Sequence, residues 1–166
     1  PKEWQRFLLL LVFVFVVRAM GRAIAKQLPP AVDHIWMAAA TGSTMAGMIE
    51  GAVEAQQGKD KRIFYCVING VNVLKNSSLV EALTANFISN TKIDRETDSV
   101  GVEACPVRWR VINDAHCGGY AKVNADLLVF HRQLEQELGE SVDHVYMTKV
   151  FYALHQSLQA GAVSYT

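Results

Sequence analysis

Neither sign of charge dominates this chain: its 166 residues carry 16 Lys and Arg against 16 Asp and Glu. Balanced charge leaves no basic footprint for nucleic acid or for an anionic membrane surface, so neither partner is expected. Cysteine is sparse as well. Cys66, Cys105 and Cys117 are odd in number, widely spaced and without a Cys-x-x-Cys pair. That excludes a disulfide framework and leaves reduced, buried thiols in a cytoplasmic protein as the simplest account. His116 and Cys117 have no further ligands at a metal-site spacing, so no metal is expected. Internal repeats and low-complexity linkers are missing too, and one domain, or part of one, is the expectation for this length.

Long apolar runs are absent with one partial exception. Phe7 to Val17 is unbroken, bounded by Arg6 and Arg18, but its 11 residues fall short of the roughly 20 that a membrane-spanning helix requires. No convincing small-residue cleavage site follows, which argues against a secretory leader. Its Val and Phe content favours a buried strand or an element packed on another part of the protein; a membrane-facing segment is the weaker alternative. The first residue is Pro1 rather than Met, as in a chain that begins inside a longer protein.

What is present alternates. Ala19 to Gln27 reads as a helix stopped by Pro29-Pro30. His34 to Ala39 reads as a strand, Ser43 to Gln56 as a helix, Ile63 to Ile68 as a second strand, and Asn69 to Asn76 as a loop. Ser78-x-x-Glu81 is a capping box opening a helix with an apolar stripe of Leu79, Leu83, Phe87 and Ile88. Asn90 to Pro106 is polar and irregular, and Trp109 to Ile112 is a third strand. Asn124 caps a helix carrying Leu127, Phe130 or His131, Leu134 and Leu138 on one face and closed by Gly139, and a last helix spans about Lys149 to Leu158. Met20, Met37, Met45 and Met48 read as core filler. Strands alternating with helices imply an α/β fold with a mostly parallel sheet flanked by helices. The boundaries are an apolar leading segment and helix over residues 1–31, then an α/β part over residues 32–166.

In such sheets ligands bind beyond the carboxyl ends of the strands. The first such place is Thr41-Gly42-Ser43-Thr44, between a strand and a helix N-terminus. Unpaired N–H groups and the helix dipole suit an anion there, and the hydroxyls of Ser43 and Thr44 can donate; the other reading is a plain N-cap, and on the turn alone the cap is preferred. The second is Asn113 to Tyr120, where Gly118-Gly119 permits unusual backbone angles. The third is Asp143 to Lys149, before the last helix, where Asp143 either pairs with Lys149 or caps the helix, with capping preferred.

Gly118-Gly119-Tyr120-Ala121-Lys122, an amphipathic helix, and then Asp143-x-Val145-Tyr146-x-x-Lys149 resemble the carboxyl-terminal part of the 1-aminocyclopropane-1-carboxylate deaminase / D-cysteine desulfhydrase family. These are pyridoxal 5'-phosphate enzymes of the tryptophan-synthase-β-like fold, fold type II. The Ala40 to Gly47 stretch is similar to that family's phosphate loop, and the resemblance extends over roughly Val32 to Gly161. It implies that Thr41, Gly42, Ser43 and Thr44 hold the cofactor phosphate. It also implies that Tyr120 and Tyr146 are the two active-site tyrosines and that the substrate is a small amino acid, D-cysteine or the cyclopropane amino acid. The intact family would act as a homodimer.

The chain departs from the family at named places. Met147 stands where the family has the Glu or Thr facing the pyridine nitrogen, Thr148 replaces a Gly, and His144 replaces a Pro. The Schiff-base lysine of the family lies in a Gly-Asn-Lys context that nothing here matches; the family's Lys matching Lys149 is not that residue, which gives Lys149 a structural or electrostatic role. Phe7 to Val17 stands where the family has a Gly-rich segment. The chain thus resembles the distal half of a deaminase or desulfhydrase and is expected to be catalytically silent alone. The alternative is a non-catalytic remnant, or a small-anion-binding α/β domain of other ancestry.

Overall fold

Three short apolar stretches form the sheet: β1 (His34–Ala39), β2 (Cys66–Asn72) and β3 (Val107–Ile112). The structure, a computed structural model, describes residues 16–29, 32–57, 66–75, 77–88 and 107–162. The strands run parallel in the order β1-β2-β3, with Ile35 opposite Ile68 and Ile68 opposite Trp109. Parallel neighbours need long crossovers, and helices supply them. Helix α1 covers residues 16–27. It is followed by α2 (Ser43–Gln57), α3 (Ser77–Phe87), α4 (Ala125–Leu138) and α5 (Met147–Gln159). The fold is α/β, a parallel sheet flanked by helices.

Alternation along the strands divides the core into two layers. On one face Met45, Met48, Ile49 and Ala52 of α2 pack on Cys66, Ile68, Val107 and Trp109. On the other, Val150 and Ala153 of α5 pack on Val71 and Ala115, with Trp36, Ala38 and Ile112 around them. Met37, Met45 and Met48 join the core, whereas Met20 points outward and is exposed. Outside the sheet, α1 lies on α2 by backbone contact: a Cβ on Gly47 would come within 2.6 Å of the Val17 carbonyl. Arg18 pairs with Glu50 and Glu54, and Arg22 pairs with Glu54 at 3.1 Å, across the same interface.

Five elements differ from the sequence pattern, among them β3, which starts at Val107 rather than Trp109. The second strand ends later than Ile68, at Asn72, so half of the expected Asn69 to Asn76 loop is strand; residues 63–65 lie outside the described residues. Asn69 and Asn72 are fully buried in it because the sheet supplies their partners. Asn69 Nδ2 donates to the Val67 and Ile35 carbonyls at 3.0 and 3.2 Å, and its Oδ1 accepts from Arg110 Nε at 2.6 Å. Helix α3 starts at Ser77, so Ser78 is not its N-cap. Its buried face is Val80 and Thr84, with Leu79 exposed, because α3 turns this face onto Gly42. Val16 and Val17 are helical, the start of α1 rather than the end of a strand, while residues 7–15 lie outside the described residues. Finally α5 begins two residues before Lys149, at Met147. Among the described residues no helix is long and apolar enough to cross a membrane.

Candidate functional site at the carboxyl edge of the sheet

The chain leaves β1 into a tight turn and enters α2 with no side-chain cap among the described residues. Gly42 has φ +74°, in the left-handed region that glycine tolerates best, and its carbonyl accepts from Ala46 N at 2.8 Å. A side chain there would also meet the Val80 carbonyl at 2.8 Å, so α3 closes on the turn. Ser43 is nearly buried, and its Oγ lies 2.9 Å from Thr41 Oγ1. The two hydroxyls thus bond to each other. Among the described residues no side chain accepts from the N–H groups of Ser43, Thr44 or Met45. These first N–H groups have no partner within the helix either. Ser43 and Thr44 both lie inside α2, whose first residue is Ser43.

The ends of β2 and β3 are tied beside it. Leu74 N donates to Asn72 Oδ1 at 2.8 Å, and Asn72 Nδ2 donates to Asn113 Oδ1 at 2.9 Å. The loop after β3 then crosses the carboxyl end of β2: a Cβ on Gly119 would sit 3.3 Å from that of Lys75. This crossing puts Tyr120 on the edge that also carries the Thr41–Thr44 turn. Tyr146, just before α5, meets it there. Its hydroxyl donates to Tyr120 Oη at 3.3 Å, and the rings pack edge-on with centroids 5.9 Å apart. The bond to Tyr120 holds the Tyr146 proton and pushes its pKa up. With Tyr120 as acceptor, its own O–H remains available to a ligand.

Asp143 organises the start of α5. Its carboxylate accepts from Val145, Tyr146 and Met147 N at 3.3, 2.6 and 3.1 Å. Partial desolvation raises its pKa, but these three bonds outweigh that, and the net result lies below the ordinary carboxylate value. Of the two roles open to Asp143, capping is the one observed. Lys149 is instead fully buried, its Nζ donating to the His116 carbonyl at 2.8 Å and the Gly119 carbonyl at 2.7 Å. Burial lowers its pKa, and the nearby Cys117 opposes that. His116 is a loop histidine, Nδ1 accepting from Gly118 N at 3.0 Å, and no metal-binding cluster occurs among the described residues. Met147 is exposed at the first position of α5. Lys122, the last residue of the Gly118 motif, and Lys75, which the motifs did not single out, flank the Gly118–Gly119 corner with exposed side chains. Only the crossing of the β3 loop over β2 brings Lys75 there. A cavity of about 410 Å³ opens nearby at Leu127, Leu128, His131, His144 and Thr148, but neither the turn nor the tyrosines line it.

The fold has a solved counterpart. A crystal structure of an ACC deaminase homologue matches 91% of this chain with a TM-score of 0.57 at 20% identity. The chain spans 42% of that protein's length, and likeness at this identity is a likeness of fold. No protein-family model matches the sequence, and no curated protein does.

The residues divide when tested against a pyridoxal phosphate. At the phosphate end they fit: a positive-φ glycine, uncapped helix N–H groups and two hydroxyls make a cradle for a dianion. At the ring end they do not. Met147 offers a thioether, a weak acceptor, in place of a carboxylate or hydroxyl, and Lys149 is committed to two carbonyls.

Proposed function

We propose that the carboxyl edge of this sheet is an anion site of the pyridoxal-phosphate deaminase/desulfhydrase type. In this reading Thr41, Gly42, Ser43 and Thr44 receive the phosphate, and Tyr120 and Tyr146 face a small amino-acid ligand such as D-cysteine or the cyclopropane amino acid. The uncapped N-terminus of α2, behind a positive-φ Gly42 and beside the Thr41–Ser43 hydroxyl pair, carries the proposal. When bound, such a cofactor serves as an electron sink for carbanions. The chain's own residues bind the phosphate through backbone N–H groups, and Tyr146 holds a proton against Tyr120. Met147 does not fit the ring nitrogen.

Met147 favours a second reading, in which the chain binds a small phosphate or pyridoxal phosphate without turning over an amino acid: its exposed thioether is a weak acceptor for a ring nitrogen. Both readings share the cradle, so the first experiment addresses it. Replacing Ser43 and Thr44 together by Ala is expected to weaken pyridoxal phosphate or inorganic phosphate binding by about 1–3 kcal/mol, the range for hydrogen bonds to a charged group. Calorimetric titration measures it, and an affinity equal to that of the parent chain would remove the cradle.

A further inference from the structure

Among the described residues, Lys149 is the largest fully buried side chain, and no carboxylate pairs with it. Burying an ammonium is unfavourable unless hydrogen bonds replace its water. Here two carbonyls do so, and both belong to one corner. His116 and Gly119 bracket Cys117 and Gly118, so a single Nζ closes the backbone on itself.

That corner is conformationally unusual. Cys117 has φ +51°, Gly118 +100°, Gly119 +111° and Ala121 +53°. The left-handed region is unfavourable for an L residue such as Cys117 or Ala121 and is kept where the surroundings impose it. Tyr120 sits within this run. Its side chain is 55% exposed and has the Tyr146 ring as its aromatic contact, so its place is set chiefly by the backbone on either side. Tyr146 and Lys149 are three residues apart at the start of α5, one turn of helix. The same turn therefore carries one tyrosine of the pair and the ammonium that fixes the loop of the other.

We infer that Lys149 is a positioning residue: it clamps the His116–Gly119 corner and thereby sets the Tyr120 hydroxyl against that of Tyr146. This rests on reading the tyrosine pair as part of the site, but not on phosphate binding, which is measured separately in the Ser43 and Thr44 variant.

The test uses the full chain labelled with ¹³Cζ-tyrosine; its five tyrosines are assigned by Tyr→Phe substitutions. Tyr146 is expected to titrate at higher pH in the parent than in Tyr120→Phe, which lacks the accepting hydroxyl. Lys149→Met removes both bonds and should move the Tyr146 midpoint to the Tyr120→Phe value. Lys149→Arg, which keeps a cation and its donors, should stay nearer the parent. A folded Lys149→Met chain with the parent's Tyr146 midpoint would overturn the inference. Should Lys149→Met not fold, the ammonium itself decides in the parent chain. Its protons should exchange with water at least about fivefold more slowly than those of an exposed lysine, the factor one hydrogen bond of ordinary net strength gives. Exchange at the exposed rate would also overturn it.

Discussion

At the scale of single residues, Asp143 shows how one carboxylate shapes the site. It satisfies three N–H groups at the entrance to α5, including that of Tyr146. Asp143→Ala is expected to destabilise the chain by about 1 kcal/mol, the usual cost of losing a helix cap. The pH dependence has a definite sign. Because the folded pKa lies below the ordinary carboxylate value, the contribution is complete above about pH 4 and is lost as pH falls through the lowered folded value. Denaturant unfolding at neutral pH should separate parent and variant, and the two should converge in strong acid. A constant difference across that range would remove the ionised cap from the account. The capping role of Asp143 is legible in sequence because its partners are its near neighbours. The burial of Lys149 is not, because its partners lie some 30 residues away.

At the scale of elements, the α1–α2 pair depends on glycine for closeness rather than for backbone freedom. A Cβ on Gly51 would fall 2.8 Å from Gly21 Cα, against backbone that cannot yield without moving a helix. Gly51→Ala gains roughly 1 kcal/mol in helix propensity but overpacks this crossing, which costs about 1–3 kcal/mol. Overpacking wins because the opposing atoms are main chain. The variant is expected to unfold at lower denaturant than the parent, and a higher midpoint would mean that α1 does not press on α2. Helix α4 marks the opposite limit. Asn124 accepts from Leu127 N at 2.9 Å, Gly139 takes φ +70°, and both signals stand in the sequence at the positions the structure uses. For α3 the local signals mislead, since Ser78 and Glu81 suggest a cap while contact with Gly42 selects Val80 and Thr84 as the inner face.

At the scale of the whole molecule, the loop after β3 and the start of α5 meet at the Tyr120–Tyr146 pair beyond the carboxyl ends of the strands, and the proposed second reading is binding without turnover. The chain alone is expected to release ammonia from D-cysteine or from the cyclopropane amino acid no faster than free pyridoxal phosphate does. Borohydride reduction of the mixture should leave no pyridoxyl group on Lys149, whose amine is held by the His116 and Gly119 carbonyls. Peptide mapping and product assays read these outcomes. Turnover well above the free cofactor that is abolished by Tyr146→Phe, or a reduced adduct on Lys75 beside Gly119, would show that another lysine serves the site.

Local chemistry in the sequence specified what depends on near neighbours: strand β1, the caps of α4, the capping role of Asp143, and the alternation of strands and helices that makes the sheet parallel. Such signals act within a few residues and survive any packing that respects them. The tertiary structure decided the rest. It drew β2 out to Asn72 by giving buried amides their partners in neighbouring strands and the β3 loop. It rolled α3 onto Gly42, and it enclosed the ammonium of Lys149 in the corner that carries Tyr120. A buried polar group is stable only where a partner meets it, and Ile35 and Arg110 for Asn69, Asn113 for Asn72 and the His116 and Gly119 carbonyls for Lys149 all come from distant parts of the chain.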